Sequence, residues 1–62
     1  MQSKTEILVV EDDDVNRYLC ETLLRKEGYE VTSVASFQDA RIALEKRNYP
    51  LVILDLNLPD GD

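Results

Sequence analysis

Two short apolar blocks stand out along the chain, at residues 7–10 and 51–54. Both are rich in branched aliphatic residues, neither alternates with polar residues, and each is followed directly by a carboxylate. A strand with one solvated face alternates between apolar and polar residues, whereas a strand buried on both faces does not. The pattern therefore predicts two strands that lie inside a parallel sheet.

The segment after the first block has the period of an amphipathic helix, over residues 15–26. Asp13 or Asp14 is the expected N-cap, and Gly28 is the expected left-handed residue that follows the helix. The basic residues of the last turn suit the negative end of the helix dipole. The positions expected to form the buried face are Val15, Tyr18, Leu19, Thr22 and Leu23.

A second strand and a second helix fill the rest of the interval. Branched residues predict a strand over residues 29–35. Residues 36–39 resemble a capping box that opens a helix, and residues 48–50 end that helix because Pro50 disfavours helical backbone before it. The expected buried stripe of this helix is Phe37, Ala40, Ala43 and Leu44. The order β-α-β-α-β predicts the α/β class, with a parallel sheet joined by right-handed crossovers in one unit.

The charge is concentrated rather than spread over the chain. The formal net charge is −6, and seven of the thirteen acidic residues lie in two short segments: Glu11, Asp12, Asp13, Asp14, Asp55, Asp60 and Asp62. These segments would repel a phosphate backbone, so we expect no direct nucleic-acid partner. The apolar blocks are too short to span a bilayer, and no secretory leader is evident. The single cysteine, Cys20, suits a cytoplasmic location and is expected to be buried.

Carboxylates follow the two apolar strands. Glu11 and Asp12 come after the first, and Asp55 comes after the last. Parallel sheets bind ligands beyond the carboxyl ends of their strands, so these three groups are expected to converge if the strands are neighbours. Their mutual repulsion favours a hard divalent cation, and oxygen ligands suit Mg²⁺. Beside such a cation, Asp55 could act as a phosphoryl acceptor.

Residues 7–13 and 51–62 resemble the first strand and the phosphoacceptor strand and loop of response-regulator receiver domains, and residues 24–31 are also similar. The resemblance covers essentially the whole chain. It implies a truncated doubly wound, flavodoxin-like fold with parallel strand order 2-1-3. Residues 15–17 are similar to receivers that are appended to hybrid sensor kinases.

The same resemblance implies a function for particular residues. Asp55 would accept a phosphoryl group from a phosphohistidine on a sensor histidine kinase or phosphotransfer protein. Mg²⁺ would be held by Asp12 directly, by Glu11 through water, by Asp55 and by the main-chain carbonyl of Asn57. Pro59 would shape the loop that follows.

The chain departs from the family in length. Strands four and five, the hydroxyl residue and the lysine of complete receivers have no counterpart here, and Lys4, Lys26 and Lys46 do not follow a fitting strand. Residues 1–62 are therefore expected to form a partial receiver domain that is not an enzyme in its own right. The alternative function is a self-associating assembly fragment, joined as a homodimer or to a complementary fragment through the exposed sheet edge.

Two other motifs can be tested on the sequence. Asp12, Asp14 and Asn16 match the opening of a calcium loop, but Arg17 replaces its glycine and Leu23 its closing glutamate, so that reading fails. Asp55 and Asn57 also resemble the aspartate loop of haloacid-dehalogenase-type phosphatases. That family usually has a second aspartate at the position of Asn57, so the phosphatase interpretation is much weaker than the receiver interpretation. Asp13 and Asp14 are interpreted as helix-dipole residues, and residues 60–62 as a turn.

Overall fold

The computed structural model describes residues 4–54, and these form five elements in the predicted order. The elements are β1 (Glu6–Val10), α1 (Asp14–Lys26), β2 (Glu30–Val34), α2 (Phe37–Lys46) and β3 (Leu51–Leu54). Each lies within one or two residues of the range that the sequence predicts. None of the helices in this part of the chain is both long and apolar enough to cross a bilayer.

The three strands form a parallel sheet in the order β2-β1-β3. Ile7 pairs with Val31 of β2 and with Leu51 of β3, which fixes the register on both sides of β1. The chain crosses first from β1 to β2 and then back past β1 to β3. Right-handed crossovers in opposite directions require the two helices to lie on opposite faces of the sheet. The predicted α/β fold, the start of a doubly wound flavodoxin-like sheet, is confirmed.

The core is concentrated in β1. Its residues Ile7, Leu8, Val9 and Val10 are all at most 1% exposed. Leu8 and Val10 pack with Ala40 of α2, while Ile7 and Val9 face the other side because side chains alternate along a strand. Full burial of an aliphatic side chain contributes about 2 kcal/mol to the free energy of unfolding. The prediction of a strand buried on both faces is correct for β1.

The same prediction is wrong for β3 within the described residues. Leu51 is 47% exposed and Leu54 is 58% exposed, and only Ile53 is half-buried. The physical reason is position: β3 pairs with β1 alone, and neither helix contacts it in residues 4–54. An apolar block without polar alternation indicates a strand whose two faces are both apolar. It does not show which helices or strands cover those faces.

The predicted buried face of α1 is also wrong, since Val15, Tyr18, Leu19, Thr22 and Leu23 are all exposed. The half-buried positions lie instead along another face of the helix, and they are Asn16, Arg17, Cys20, Glu21 and Leu24. Arg17 and Glu21 bond to groups at the end of β1 and on β2, and these bonds orient the helix. Cys20 is therefore half-buried rather than buried.

The second helix matches its prediction in part. Ser36 is the N-cap, and its hydroxyl oxygen accepts a bond of 3.1 Å from the Asp39 N–H. Ala40 is buried and Ala43 packs against the core, but Phe37 and Leu44 are exposed, contrary to the prediction. Tyr49 also packs against the core.

The turn after α1 has the predicted backbone. Gly28 has a φ of +96°, and its N–H donates to the Arg25 carbonyl over 3.0 Å. This conformation favours glycine because it lacks a Cβ, and it directs the chain from α1 into β2.

Candidate functional site

The strands of the sheet end at one level, which defines its carboxyl edge. Val10 pairs with both Val34 and Leu54, the last residues of β2 and β3. Glu11 follows Val10, and in the sequence Asp55 follows Leu54. The predicted site residues Asp55, Asn57 and Pro59, and the predicted turn at 60–62, lie outside the described residues. Their arrangement around Glu11 and Asp12 therefore stays a prediction.

Glu11 is the buried carboxylate of this edge, with 0% of its surface exposed. Its N–H donates to the Val34 carbonyl over 3.0 Å, which extends the pairing of β1 and β2 by one residue. Its Oε2 accepts from the Asp13 N–H over 2.9 Å, and its main-chain carbonyl accepts from Nη1 of Arg17 over 3.1 Å. A buried carboxylate is costly unless it is hydrogen-bonded, and these bonds also fix its position.

Asp12 differs from Glu11 in that its side chain is exposed. It lies in the bend between β1 and α1, directly after the buried carboxylate. The two residues offer hard oxygen donors, which is the ligand chemistry that Mg²⁺ prefers. Within residues 4–54 no group of three or more histidine, cysteine, aspartate or glutamate side chains could hold a metal ion. The predicted magnesium set contains two described members, Glu11 and Asp12, and both fit the cation chemically.

Asp13 and Asp14 belong to the start of α1, as the sequence predicts. Asp13 is the N-cap, and its Oδ2 accepts from the Asn16 N–H over 2.8 Å. Asp14 is the first helical residue, where a negative charge interacts favourably with the helix dipole. Its Oδ1 accepts from Nη2 of Arg17 over 2.6 Å.

Arg17 also lies at this edge, although the sequence analysis did not assign it there. Its side chain is 23% exposed, and its guanidinium joins the Glu11 carbonyl to the Asp14 carboxylate. A cation one turn into a helix opposes the dipole preference, so another interaction has to compensate. That position, three residues after an aspartate, is the signal in the sequence that could have identified it.

Comparison with known proteins gives the same assignment over almost the whole chain. The family model of the response regulator receiver domain matches residues 7–62. The chain is 46% identical over 56 residues to the transcriptional regulatory protein GltR of Pseudomonas aeruginosa, which covers 90% of the chain and 23% of that protein. It is 37% identical over 57 residues to the transcriptional regulatory protein SrrA of Staphylococcus aureus, at 92% and 24% coverage.

A longer alignment, at lower identity, links the chain to a different kind of signalling protein. The probable histidine kinase 1 of Oryza sativa subsp. indica is 32% identical over 60 residues, which is 97% of this chain and 6% of that protein. The chain thus spans about a quarter or less of the length of these relatives. No solved structure matches it. With the parallel 2-1-3 sheet and the match over residues 7–62, the chain belongs to the response regulator receiver domain family.

Proposed function

We propose that Asp55 accepts a phosphoryl group from a phosphohistidine on a sensor histidine kinase or phosphotransfer protein, with the aid of Mg²⁺. The observation that carries this proposal is the position and fixation of Glu11. This buried carboxylate lies at the carboxyl edge of the sheet, where β1 and β3 end in register. Asp55 is the next residue in the chain after that edge of β3.

The transfer moves one phosphoryl group between two side chains. A carboxylate oxygen of Asp55 forms a bond to phosphorus while the bond between phosphorus and the histidine nitrogen breaks. The electron pair of the broken bond stays with the imidazole, which leaves as a neutral ring because its other nitrogen carries a proton. The product is an acyl phosphate on Asp55 and a free histidine on the partner.

Four groups of this chain would hold the cation: the carboxylates of Glu11, Asp12 and Asp55, and the main-chain carbonyl of Asn57. When bound, Mg²⁺ would offset the charge on the phosphoryl oxygens during transfer. Glu11 and Asp12 directly follow β1, so one buried and one exposed carboxylate lie at the same edge of the sheet. Their negative charges would repel a phosphoryl donor until the cation neutralises them.

The proposal also defines what this chain is not. The group that is modified is Asp55 itself, and the chain has no counterpart of the hydroxyl residue and the lysine of complete receivers, so it acts as a phosphoacceptor rather than as an enzyme. The chain acts in the cytoplasm, and its partner is a sensor histidine kinase or phosphotransfer protein, not a nucleic acid or a membrane. The local acidity of residues 11–14 supports this choice.

Intact-mass measurement tests the proposal. The protein is incubated with Mg²⁺ and acetyl phosphate, and the wild type is compared with Asp55→Asn and with Asp60→Asn, which makes the same change of charge. We expect one phosphoryl adduct on the wild type and on Asp60→Asn, and none on Asp55→Asn. The adduct should need Mg²⁺ and be released by neutral hydroxylamine, which cleaves acyl phosphates. An adduct that persists in Asp55→Asn, or none on the folded wild type, would contradict it.

A second candidate function, a self-associating assembly unit, has an observation of its own. Leu51, Val52 and Leu54 are exposed on β3, which forms one edge of the sheet in residues 4–54. An exposed apolar edge strand offers unpaired backbone groups to another strand. A second copy of this chain presents the same edge, so the two could pair across a two-fold axis.

A further inference from the structure

The loop between β1 and α1 carries both described magnesium candidates, and one side chain spans it. Arg17 donates from Nη1 to the carbonyl of Glu11, the first residue of the loop, over 3.1 Å. It donates from Nη2 to Asp14, the residue after the loop, over 2.6 Å. Its guanidinium therefore ties the end of β1 to the first turn of α1, across Asp12 and Asp13.

Hydrogen bonds among the residues of the loop and the first turn of α1 also hold the loop in place. The Asp13 N–H donates to Oε2 of Glu11, the Asn16 N–H donates to Oδ2 of Asp13, and the Arg17 N–H donates to the Asp13 carbonyl over 2.8 Å. Of these bonds, the one from Asp13 to Glu11 joins the end of β1 to the start of α1, so it depends on the distance that the guanidinium sets, whereas the other two lie within the first turn of α1. A planar fork with two donors at a fixed separation holds that distance, whereas a single ammonium does not.

Two effects of Arg17 on a cation oppose each other. Its positive charge repels Mg²⁺, so charge alone would make the site weaker. Its hydrogen bonds hold Glu11 and Asp12 in one arrangement, and residues that orient metal ligands raise metal affinity. The charge is already paired with Asp14, and the hydrogen-bonded side chain is largely buried, so we expect the second effect to dominate.

We infer that Arg17 is a positioning residue that sets the Mg²⁺ affinity of the site by fixing the loop of Glu11 and Asp12. The inference rests on the proposed function, because that proposal identifies Glu11 and Asp12 as magnesium ligands. It adds a residue that does not itself touch the cation. It can be tested through Mg²⁺ affinity and the protection of loop amides from hydrogen exchange, without measuring phosphorylation.

The chain contains a matched control for Arg17. Arg25 is on the same helix, where its guanidinium donates to the Val31 carbonyl over 3.1 Å and to Oε1 of Glu21 over 3.3 Å. It thus makes the same kinds of bond, to a main-chain carbonyl and a carboxylate, but at the opposite end of α1. Its substitution changes charge and packing without touching the loop.

The test measures Mg²⁺ affinity by calorimetric titration and amide hydrogen exchange of Asp13 and Asn16 without Mg²⁺. We expect Arg17→Lys, which keeps the charge, to bind Mg²⁺ about tenfold more weakly than the wild type. The Asp13 amide should exchange faster in this variant and in Arg17→Met, whereas the Asn16 amide, which is bonded within the cap of α1, should change little. Arg25→Met should change neither readout. Asp14→Asn weakens the ion pair and also removes a negative charge from the first turn of α1, and it provides a milder variant in which the Asp13 amide exchanges faster.

The outcomes separate this inference from the proposed function. A wild type that does not bind Mg²⁺ overturns both. If the wild type binds and Arg17→Lys binds equally well, only the inference fails. Tighter binding by Arg17→Met with no change in Arg17→Lys would show that the charge of Arg17 dominates, which also overturns it. Unchanged exchange of the Asp13 amide in both Arg17→Lys and Arg17→Met overturns it independently of the metal.

Discussion

Asp13 has two roles that can be separated by substitution. Its main-chain N–H donates to Glu11, while its side chain caps α1 by accepting from Asn16. Asp13→Ala removes only the cap, so we expect it to lower the free energy of unfolding by about 1 kcal/mol. Asp13→Asn keeps an acceptor oxygen and should stay close to the wild type. Urea unfolding followed by circular dichroism measures both.

Ser36 is the matched control for this prediction. It caps α2 through the same bond, from a main-chain N–H three residues later to the side-chain oxygen. Ser36→Ala should therefore cost about as much as Asp13→Ala. If Asp13→Asn were as unstable as Asp13→Ala, the contribution of Asp13 would be its charge and not its cap.

At the residue scale, the sequence identifies capping residues well and bridging residues poorly. Asp13 and Ser36 can be predicted because a cap depends on neighbours within three residues. The burial of Glu11 and the bridge made by Arg17 depend on where α1 lies against β1, which is a tertiary arrangement. The placement of Asp55 and Asn57 beside them stays a prediction, since both lie outside residues 4–54.

At the scale of elements, α1 is held to β2 by a polar clamp centred on Glu21. The carboxylate of Glu21 accepts from the Ser33 hydroxyl and from Nη1 of Arg25, which also bonds to the Val31 carbonyl. Glu21 is only 21% exposed, so water does not fully replace these bonds when they are lost. We expect Glu21→Ala to lower the free energy of unfolding by about 1–2 kcal/mol in urea titrations.

Two milder variants check that the clamp, and not helix propensity, is responsible. Glu21→Gln keeps an acceptor for Ser33 and should cost less than Glu21→Ala. Ser33→Ala leaves the Glu21 pair with Arg25 in place and should also cost less. An equal loss in all three variants would mean that the bonds to Glu21 act as one unit, whereas no loss in Glu21→Ala would rule out the clamp.

The clamp also explains why the buried face of α1 could not be read from its period. The helix has two apolar stripes, one containing Leu19 and Leu23 and one containing Cys20 and Leu24. The period shows that both exist, but the stripe that meets the sheet is chosen by Arg17 and Glu21. Because Arg17 and Glu21 are polar, the face of α1 that meets the sheet cannot be identified from the hydrophobicity of its residues alone.

At the scale of the whole molecule, β2 and β3 form the two edges of the described sheet but differ in character. Val52 of β3 and Thr32 of β2 both pair with Leu8 of the central strand, from opposite sides. If the β3 edge joins two copies, the average mass of this 62-residue chain in sedimentation equilibrium should rise with concentration. Val52→Lys should suppress that rise because a charge on an edge strand opposes pairing.

Thr32→Lys is the control, since it places the same charge at the equivalent position of the other edge. It should leave the concentration dependence of the mass unchanged. A monomeric wild type at high concentration would remove the second candidate function. Equal suppression by both variants would point to net charge rather than to the β3 edge.

The topology of the molecule could be predicted because it follows from general rules for parallel sheets. The order of the elements, the carboxylates after β1 and β3, and right-handed crossovers define the 2-1-3 arrangement. The exposed edge of the sheet is also expected from the sequence, but the exposure of Leu51 and Leu54 on the faces of β3 could not be predicted in this way. It depends on which other elements cover β3, and the two described helices do not.

The central position of β1 has a consequence for how the chain is made. During synthesis β1 leaves the ribosome first, yet Ile7 gains its partner Val31 only later and its partner Leu51 later still. The most buried strand is thus the earliest to appear and the last to be enclosed. Contacts between distant residues form slowly, and apolar strands exposed in the meantime are prone to aggregate. A delay between the emergence of β1 and the emergence of β3 from the ribosome would lengthen this exposed interval, whereas a delay after β3 has emerged would not.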